Sequence, residues 1–284
     1  MPHARAPPPA ERVRERLRAA AGDRLANAMP AGYQRLGRVL VLRLPSEYRP
    51  YFPVLGDAWQ AALPVRTVLV RTGPIAGELR TPGVERIAGD GTETEVVEHG
   101  VRWRFDAAAI MFAAGNRSER RRAGALVRPG ETVVDLFAGI GYFAIPAARH
   151  GAREVLAVEK NPIAVRYLRE NAALNGVAAT LRPVPGDNRT VPLPAHAADR
   201  IFLGYLPSAV PWVARALELV RPGGWLHVHT LADARSATSL AVREVRAALA
   251  AAGTEPAEEP RARAVKPYGP GRTHVVVDVR PVAR

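Results

Sequence analysis

The sequence has 284 residues with 40 Lys plus Arg against 27 Asp plus Glu, which gives a formal net charge of +13. Cysteine is absent, so disulfide frameworks, thiolate catalysis and Cys-ligated zinc are excluded. No segment supplies the ~20 consecutive apolar residues of a membrane-spanning helix, and no apolar stretch follows the basic N-terminus. We therefore expect a cytoplasmic protein that binds neither a membrane nor a metal.

The positive charge is almost entirely arginine, because Lys160 and Lys266 are the two lysines of the chain. Clustered arginine favours an anionic partner such as nucleic acid. A second explanation stays open. Arg, Ala, Gly and Pro share GC-rich codons, so an Arg-rich solvated surface can reflect the genome rather than a ligand.

The first third of the chain has the pattern of a small α+β domain. We predict a mobile or helical extension over residues 1–30, Pro-rich at 1–9 and helical at 11–21, and a domain over 31–106. Short β-branched runs bounded by Pro and Gly predict strands, and a Gly-rich segment predicts turns. The predicted elements are strands at 39–45 and 65–71, a helix at 51–63, turns at 73–91, and two strands over 94–106 that meet at His99-Gly100.

From residue 107 to the end, strand and helix patterns alternate, which is typical of an α/β fold with a doubly wound parallel sheet. The helix over 209–220 is expected to end at Pro222-Gly223-Gly224. The strands are predicted at 132–138, 154–160, 179–187, 198–206, 223–231 and 274–280, and the helices at 141–150, 162–175, 209–220 and 235–252. These residues are predicted to form one Rossmann-like domain.

Three predicted strands end in acidic residues. Asp135 is followed by a turn with Gly139 and Gly141 and then by a helix, whose N-terminal N–H groups suit polar or anionic atoms. Glu159 ends the next strand and suits the two ribose hydroxyls. Asp187-Asn188 ends the third strand and suits an adenine amino group. Because open α/β sheets bind ligands at the carboxyl ends of their strands, we expect a nucleoside there.

The glycine turn alone is also compatible with a dinucleotide, whose binding turn has the spacing G-x-G-x-x-G. Here the run reads G-I-G-Y-F-A and lacks the third glycine. The leading Asp135 and the Asp187 pair fit a nucleoside sulfonium better, so S-adenosylmethionine is favoured over NAD and over a purely structural turn.

Several motifs resemble, in order along the chain, those of the wybutosine-synthesis tRNA aminocarboxypropyltransferases and the related tRNA guanine-37 N1-methyltransferases. They cover nearly the whole chain after residue 30. The motifs are LVLRLP (40–45), GELRTP (77–82), EHGVRWRFD (98–106), MFAAGNRSERRR (111–122), VVDLFAGIGYFAIPAA (133–148), VEKNP (158–162), YLRENAALNGV (167–177), GDNR (186–189), LGYLP (203–207), LHVH (226–229) and VKPYGPGRTHVVVDV (265–279).

The resemblance implies a class I Rossmann-like methyltransferase fold and S-adenosylmethionine as co-substrate. The group moved is then either methyl or 3-amino-3-carboxypropyl, since the site selects the carbon that it presents to the acceptor. GDNR followed by LGYLP looks like the aminocarboxypropyl branch. By position, the resemblance implies that the cofactor-binding residues are Arg120, Arg122, Phe137, Gly139, Glu159, Asp187 and Asn188, with Asp135 at the first strand end.

For Arg120 or Arg122 we expect a bidentate pair with the methionyl carboxylate, although RSERRR can also be a solvated helix face. Ala113 stands where family members usually have Ser, and Phe202 where they commonly have Asn. An aromatic ring in place of an amide favours a changed acceptor. The chain would then resemble isonocardicin synthase, which alkylates a phenol of a small β-lactam metabolite in antibiotic biosynthesis.

Two other hypotheses for the function remain. The protein is either an enzyme that modifies a base at tRNA position 37 or an RNA-binding module that has lost its activity. A phenol has a pKa of about 10, so it needs a base near neutral pH. Tyr205, His229 and Asp106 are the predicted catalytic residues, with His227 as a further candidate base. Histidines on a buried strand are, however, more often hydrogen-bonded core residues.

Overall fold

A computed structural model describes residues 7–282 and divides the chain into two compact units. The N-terminal unit comprises described residues up to 97 together with 102–112, and the C-terminal unit comprises 98–101 and the residues from 113 onward. The domain boundary expected after residue 106 stays a prediction. Most of the Pro-rich segment at 1–9 lies outside the described residues.

The N-terminal unit has a four-stranded sheet in the order β1-β2-β3-β4, in which β2 and β3 are parallel and both outer pairs are antiparallel. Two helices pack on it, and a β5-β6 hairpin forms a separate sheet. The elements are α1 (Pro9–Ala28), β1 (Tyr33–Leu36), β2 (Val39–Leu42), α2 (Phe52–Ala62), β3 (Thr67–Arg71), β4 (Val84–Gly89), β5 (Glu93–Glu98) and β6 (Val101–Asp106).

Most elements expected here are present, with three differences. The short edge strand β1 was not expected. Helix α1 is longer than expected and is interrupted at Gly22, whose φ of 80° is not helical. Strand β4 lies inside the segment expected to form turns. It is an edge strand with no fully buried side chain, so it lacks the apolar run that marks a strand in a sequence.

The core of the N-terminal unit depends on a close approach between α2 and β4. Leu55 and Trp59 of α2 are almost fully buried in one apolar cluster with Leu40 and Val68 of the sheet. Gly56 makes the approach possible, because a Cβ there would lie 2.6 Å from the Ala88 Cβ. That separation is too short for two carbon atoms.

We therefore expect Gly56→Leu to lower the free energy of unfolding by about 1–3 kcal/mol, the usual cost of overpacking a core. Gly32→Ala is the matched control, because a Cβ on Gly32 has no atom within 4 Å and its φ is not positive. Urea denaturation of both variants measures the difference. If both substitutions changed the free energy of unfolding by the same small amount, the close packing of α2 against β4 at Gly56 would be contradicted.

The C-terminal unit is built on a seven-stranded sheet in the order β12-β13-β11-β10-β7-β8-β9. All neighbouring pairs from β11 to β9 are parallel, and β13 is antiparallel to both of its neighbours. The elements are α3 (Arg117–Leu126), β7 (Thr132–Asp135), α4 (Ala144–Arg149), β8 (Glu154–Glu159), α5 (Pro162–Leu174), β9 (Leu181–Pro185), β10 (Ala198–Leu203), α6 (Val213–Leu219), β11 (Val220–Asp233), α7 (Ala237–Ala251), β12 (Arg261–Pro267) and β13 (Arg272–Val279).

The doubly wound sheet predicted from the alternating pattern is confirmed. Its central strands are buried on both faces, as their runs of Val, Ile and Leu predict. Strand β12 was missed because it is an edge strand rich in exposed arginine. The Pro-Gly-Gly segment does not follow a helix, since β11 already begins at Val220. Within residues 7–282, no helix is long and apolar enough to cross a bilayer.

Candidate active site

The loop after β7 is shaped by two glycines. Gly139 and Gly141 have φ values of 55° and 104°, which side-chain-bearing residues rarely adopt. A Cβ on Gly139 would lie 2.8 Å from the Tyr142 ring, and one on Gly141 would lie 2.6 Å from the Ile145 side chain. The backbone between Asp135 and the start of α4 therefore follows a tight path, in which each residue is buried or half-buried.

Glu159 joins this loop to the end of β8. Its Oε2 accepts a hydrogen bond from the Gly139 N–H at 2.7 Å, and its Oε1 accepts one from the Asn161 N–H at 2.7 Å. Burial raises the pKa of this carboxyl group, and the backbone donors oppose the rise. The carboxylate is thus held between two strand ends.

The end of β9 reaches the same edge of the sheet. Asn188 Nδ2 donates to the Leu136 carbonyl at 2.8 Å, and Asp187 accepts from Lys160 Nζ at 3.1 Å. Hydrogen bonds from Arg189 are the main reason that the pKa of Asp187 lies below its ordinary value. The structure therefore brings together the ends of β7, β8 and β9, as the three acidic strand ends predict.

Asp135 is the most deeply buried carboxyl group of the site, with no exposed surface. Its Oδ1 accepts from the Phe137 N–H at 3.2 Å. The backbone N–H groups of Phe143 and Ala144 also lower the pKa of this carboxyl group, but none within residues 7–282 makes a hydrogen bond of normal geometry to Oδ2. Burial raises its pKa to about 7, and the negative charge of Glu159 adds to the rise. A buried acceptor without a donor is unfavourable and marks this loop as a place for a polar ligand.

Three half-buried aromatic rings pack together beside this loop. The Phe137 and Tyr205 rings stack with centroids 5.1 Å apart, and Trp212 meets Phe137 edge-on at 5.1 Å. Tyr205 follows β10, and Trp212 immediately precedes α6. The cluster offers an aromatic surface to a flat ring at the carboxyl edge of the sheet.

The structure places Arg122 in an ion-pair cluster. Its guanidinium donates to Glu119 on the same helix and to Asp278 on β13, at 2.7 Å in each case. Burial would lower the pKa of Arg122, but these two carboxylates raise it above its ordinary value. Arg263 also donates to Glu119, at 2.9 Å. The predicted contact of Arg122 with a methionyl carboxylate stays a prediction, and its charge is already balanced.

His227 belongs to the same network. Its Nδ1 lies 2.5 Å from Asp278, and Arg200 Nη1 lies 2.7 Å from its Nε2. Because arginine always donates, Nε2 is the acceptor and Nδ1 carries the proton. Burial lowers the pKa of His227, so the ring is neutral. Both ring nitrogens have partners within the sheet.

Arg120 forms a second buried ion pair. Its Nε and Nη2 donate to Glu98 Oε2 at 2.9 and 2.6 Å, and its Nη1 donates to the Ala113 carbonyl at 3.0 Å. Both side chains are less than one-tenth exposed. The guanidinium also lies 5.6 Å from the centroid of the Tyr142 ring, against the glycine loop.

His229 is buried and pairs with His274, with 2.9 Å between His229 Nδ1 and His274 Nε2. Burial lowers the pKa of His229 to about 4 and that of His274 to about 3, so both rings are neutral near pH 7. The outer nitrogens, His229 Nε2 and His274 Nδ1, have no partner among the described residues. A group with such a pKa is a weak base at neutral pH.

Two further residues were singled out in the sequence. Asp106 belongs to the N-terminal unit, and its Oδ1 accepts from the Ala108 N–H at 2.8 Å in a local turn. Phe202 is 1% exposed and packs between Phe143 and His227 within the C-terminal core. Its ring therefore does not line an open pocket, so the structure gives no support to the argument from Phe202 to a changed acceptor, which stays a prediction.

Comparison with known proteins places this geometry in a family. Residues 94–255 match the TRM5/TYW2 methyltransferase domain, and residues 13–92 match the TYW2 N-terminal domain. The chain belongs to the TRM5/TYW2 family. The confirmed expectations are the Rossmann-like methyltransferase fold, the enzyme class of S-adenosylmethionine-dependent alkyltransferase, and S-adenosylmethionine as co-substrate.

One curated relative and two solved structures of the TRM5/TYW2 family are similar to most of the chain. A tRNA(Phe) (4-demethylwyosine(37)-C(7)) aminocarboxypropyltransferase from Pyrococcus horikoshii is 35% identical over 95% of this chain and 96% of its own length. A structure of P. horikoshii TYW2 in complex with MeSAdo has a TM-score of 0.85 at 31% identity and covers 97% of this chain and 100% of that chain. M. jannaschii TYW2 in complex with AdoMet has a TM-score of 0.72 at 29% identity, with coverages of 89% and 100%.

The ion-pair partners of the candidate arginines were not predicted from the sequence. Glu98 and Asp278 are ion-pair partners that the spacing of residues does not reveal, whereas Glu119 lies three residues before Arg122 on one helix, a spacing that does predict a pair. Trp212 was also missed, although a tryptophan nine residues after the end of a strand is a visible signal. Lys266 stands within the quoted motif at 265–279 and was given no role there.

The raised pKa of Asp135 predicts how stability depends on pH. A carboxyl group whose pKa is higher in the folded state stabilises the fold fully below its unfolded value near 3.8, and this contribution is lost as the pH rises through about 7. Asp135→Asn should therefore gain stability over the wild type between pH 4 and 8, by at most about 4 kcal/mol. Denaturation at several pH values measures the difference, with the exposed Asp57→Asn as control. A difference independent of pH would refute the assignment.

Proposed function

We propose that this enzyme transfers the 3-amino-3-carboxypropyl group of S-adenosylmethionine to C7 of 4-demethylwyosine at position 37 of tRNA(Phe). The observation that carries the proposal is the match to the TYW2 N-terminal domain over residues 13–92 beside the shared catalytic domain. The P. horikoshii aminocarboxypropyltransferase supports it, because its similarity extends over 95% of this chain. The match to the TYW2 N-terminal domain ends at residue 92 and the match to the methyltransferase domain begins at residue 94, whereas the domain boundary that we propose lies after residue 106.

The residues at the carboxyl edge of the sheet fit the nucleoside part of the donor. Glu159 uses one acceptor site of each oxygen on a backbone N–H, and a carboxylate has about four such sites. Acceptor capacity is therefore left for ribose hydroxyls. We propose that Asp187 and Asn188 contact the adenine and that Gly139 and Phe137 line the nucleoside site. Asp135 Oδ2 supplies a further acceptor that lacks a donor.

When bound, S-adenosylmethionine supplies a sulfonium whose γ-carbon accepts a bond from the acceptor carbon while its bond to sulfur breaks, so that methylthioadenosine and a proton are released. The protein's contribution is to bind, orient and exclude water. We assign the rings of Phe137, Tyr205 and Trp212 to stacking against the acceptor base, since aromatic side chains commonly hold splayed bases in this way. Tyr205, His229 and Asp106 remain proposed catalytic residues.

Transfer to a phenol of a small metabolite is the weaker proposal. It depended on Phe202, whose ring is buried in the core. The P. horikoshii relative is by its name a tRNA(Phe)-modifying enzyme. It therefore favours RNA as the acceptor and gives no support to antibiotic biosynthesis. The basic composition also suits phosphate contacts. Methyl transfer to guanine 37 is the second alternative, because the family includes both branches.

Isotope labelling distinguishes these activities. The purified enzyme is incubated with tRNA(Phe) that carries 4-demethylwyosine and with S-adenosylmethionine labelled either at the carboxyl carbon or at the methyl carbon. We expect label in tRNA from the carboxyl carbon alone, with methylthioadenosine as by-product. Label from the methyl carbon, with S-adenosylhomocysteine, would show methyl transfer. Activity on a simple phenol but not on this tRNA would overturn the proposed acceptor.

The assignment of Asp187 can be tested by binding. Asp187→Ala should weaken S-adenosylmethionine affinity by about tenfold, the usual loss for one hydrogen bond to a charged group. Asp233→Ala is the matched control, because Asp233 accepts from the N–H and Nε of Arg235 as Asp187 does from Arg189. Calorimetry measures both variants. Equal affinities would remove Asp187 from the donor site.

A further inference from the structure

Lys266 is a half-buried cation near the end of β12 whose charge has no partner within residues 7–282. No hydrogen bond or ion pair reaches its ammonium group among those residues. Burial lowers its pKa, and the positive charge of Arg120 lowers it further. Because partial burial of an uncompensated charge is costly, such a lysine marks a place where an anion binds.

Unlike Lys266, the neighbouring arginines have carboxylate partners. Arg120 is neutralised by Glu98, and Arg122 by Glu119 and Asp278. Arg263 on the same strand as Lys266 pairs with Glu119. Three arginines are thus engaged with carboxylates, and Lys266 supplies the unbalanced charge of this cluster.

A hydrogen-bond acceptor lies beside this cation. A Cβ on Gly115 would lie 2.9 Å from Lys266 Nζ, so the backbone of the segment before α3 passes directly against the ammonium group. The next residue, Asn116, has a buried Oδ1 without a partner among the described residues. A cation on β12 and an acceptor in the segment before α3, each without a partner among the described residues, complement a ligand that carries a carboxylate and an ammonium group, as an α-amino acid does.

The cluster is connected to the proposed donor site by direct contacts. The Arg120 guanidinium, which lies near Lys266, faces the Tyr142 ring at 5.6 Å. That ring packs against Gly139, whose N–H donates to Glu159. Lys266 is therefore linked through Arg120 and Tyr142 to the glycine loop.

We propose that Lys266 binds the carboxylate of the aminocarboxypropyl tail of S-adenosylmethionine and that Asn116 Oδ1 accepts a hydrogen bond from its ammonium group. The proposal rests on the donor site described under Proposed function. Lys266 then takes the role that the sequence analysis gave to Arg120 or Arg122. Because the tail would be anchored at its far end, its γ-carbon would have a fixed orientation relative to the acceptor.

Calorimetry with three ligands tests this assignment. S-adenosylmethionine carries the whole tail, decarboxylated S-adenosylmethionine lacks the carboxylate, and methylthioadenosine lacks the tail. We expect Lys266→Met to weaken binding of S-adenosylmethionine by about tenfold to a hundredfold, as for the loss of a charge-assisted hydrogen bond. The other two ligands should change by less than about twofold, within the range of an ordinary surface substitution.

Arg261→Met is the matched control, because Arg261 is an exposed basic residue on the same strand. Asn116→Ala should weaken both ligands that carry the ammonium group and leave methylthioadenosine unchanged. Lys266→Arg should restore part of the affinity for S-adenosylmethionine.

Three outcomes would overturn the assignment. Equal weakening of all three ligands would show that Lys266 supports the fold. Unchanged binding of all three, with weaker retention of tRNA, would show that Lys266 contacts a phosphate. If the wild type bound S-adenosylmethionine no tighter than its decarboxylated analogue, the tail contact would be absent although the donor site is intact. Failure of the wild type to bind any of the three would instead overturn the proposed function together with this inference.

Discussion

The site depends on the carboxylate of Glu159, which accepts the N–H groups of Gly139 and Asn161 at 2.7 Å each. Hydrogen bonds to a buried charged group are shorter and stronger than neutral ones. They fix the loop after β7 against the end of β8 before a ligand arrives. Gly139 can present its N–H in this direction because its φ is positive and it has no Cβ to collide with Tyr142. The proposed donor site is therefore preorganised by the fold.

A polar network connects several strands of the same sheet with helix α3. It runs from Glu131 through Arg200, His227 and Asp278 to Arg122 and Glu119, with each link at 3.0 Å or less. The network ties α3 to β13 across the C-terminal unit. It also shows that part of the arginine content serves the interior, so the net charge of +13 overstates how many arginines are available to a partner.

The sequence predicted what local patterns determine. The apolar runs of β7, β8 and β10, and the acidic residues that follow strands, are visible because burial and strand ends leave periodic signals. Edge strands β1, β4 and β12 were missed, since they are only partly buried. The partner of Arg122 could not be predicted, because Asp278 is 156 residues away and only the folded sheet brings them together. The surroundings of Phe202 could not be predicted either, because only the folded chain brings its ring against Phe143 and His227.

The most direct measurement is a crystal structure of the enzyme with methylthioadenosine bound. The account predicts that the ribose hydroxyls contact Glu159 and that the adenine lies beside Asp187 and Asn188, at the joined ends of β7, β8 and β9. It also predicts that the Gly139 and Asn161 hydrogen bonds to Glu159 persist in the complex. A nucleoside bound away from this edge, with Glu159 still facing the loop alone, would contradict the central claim.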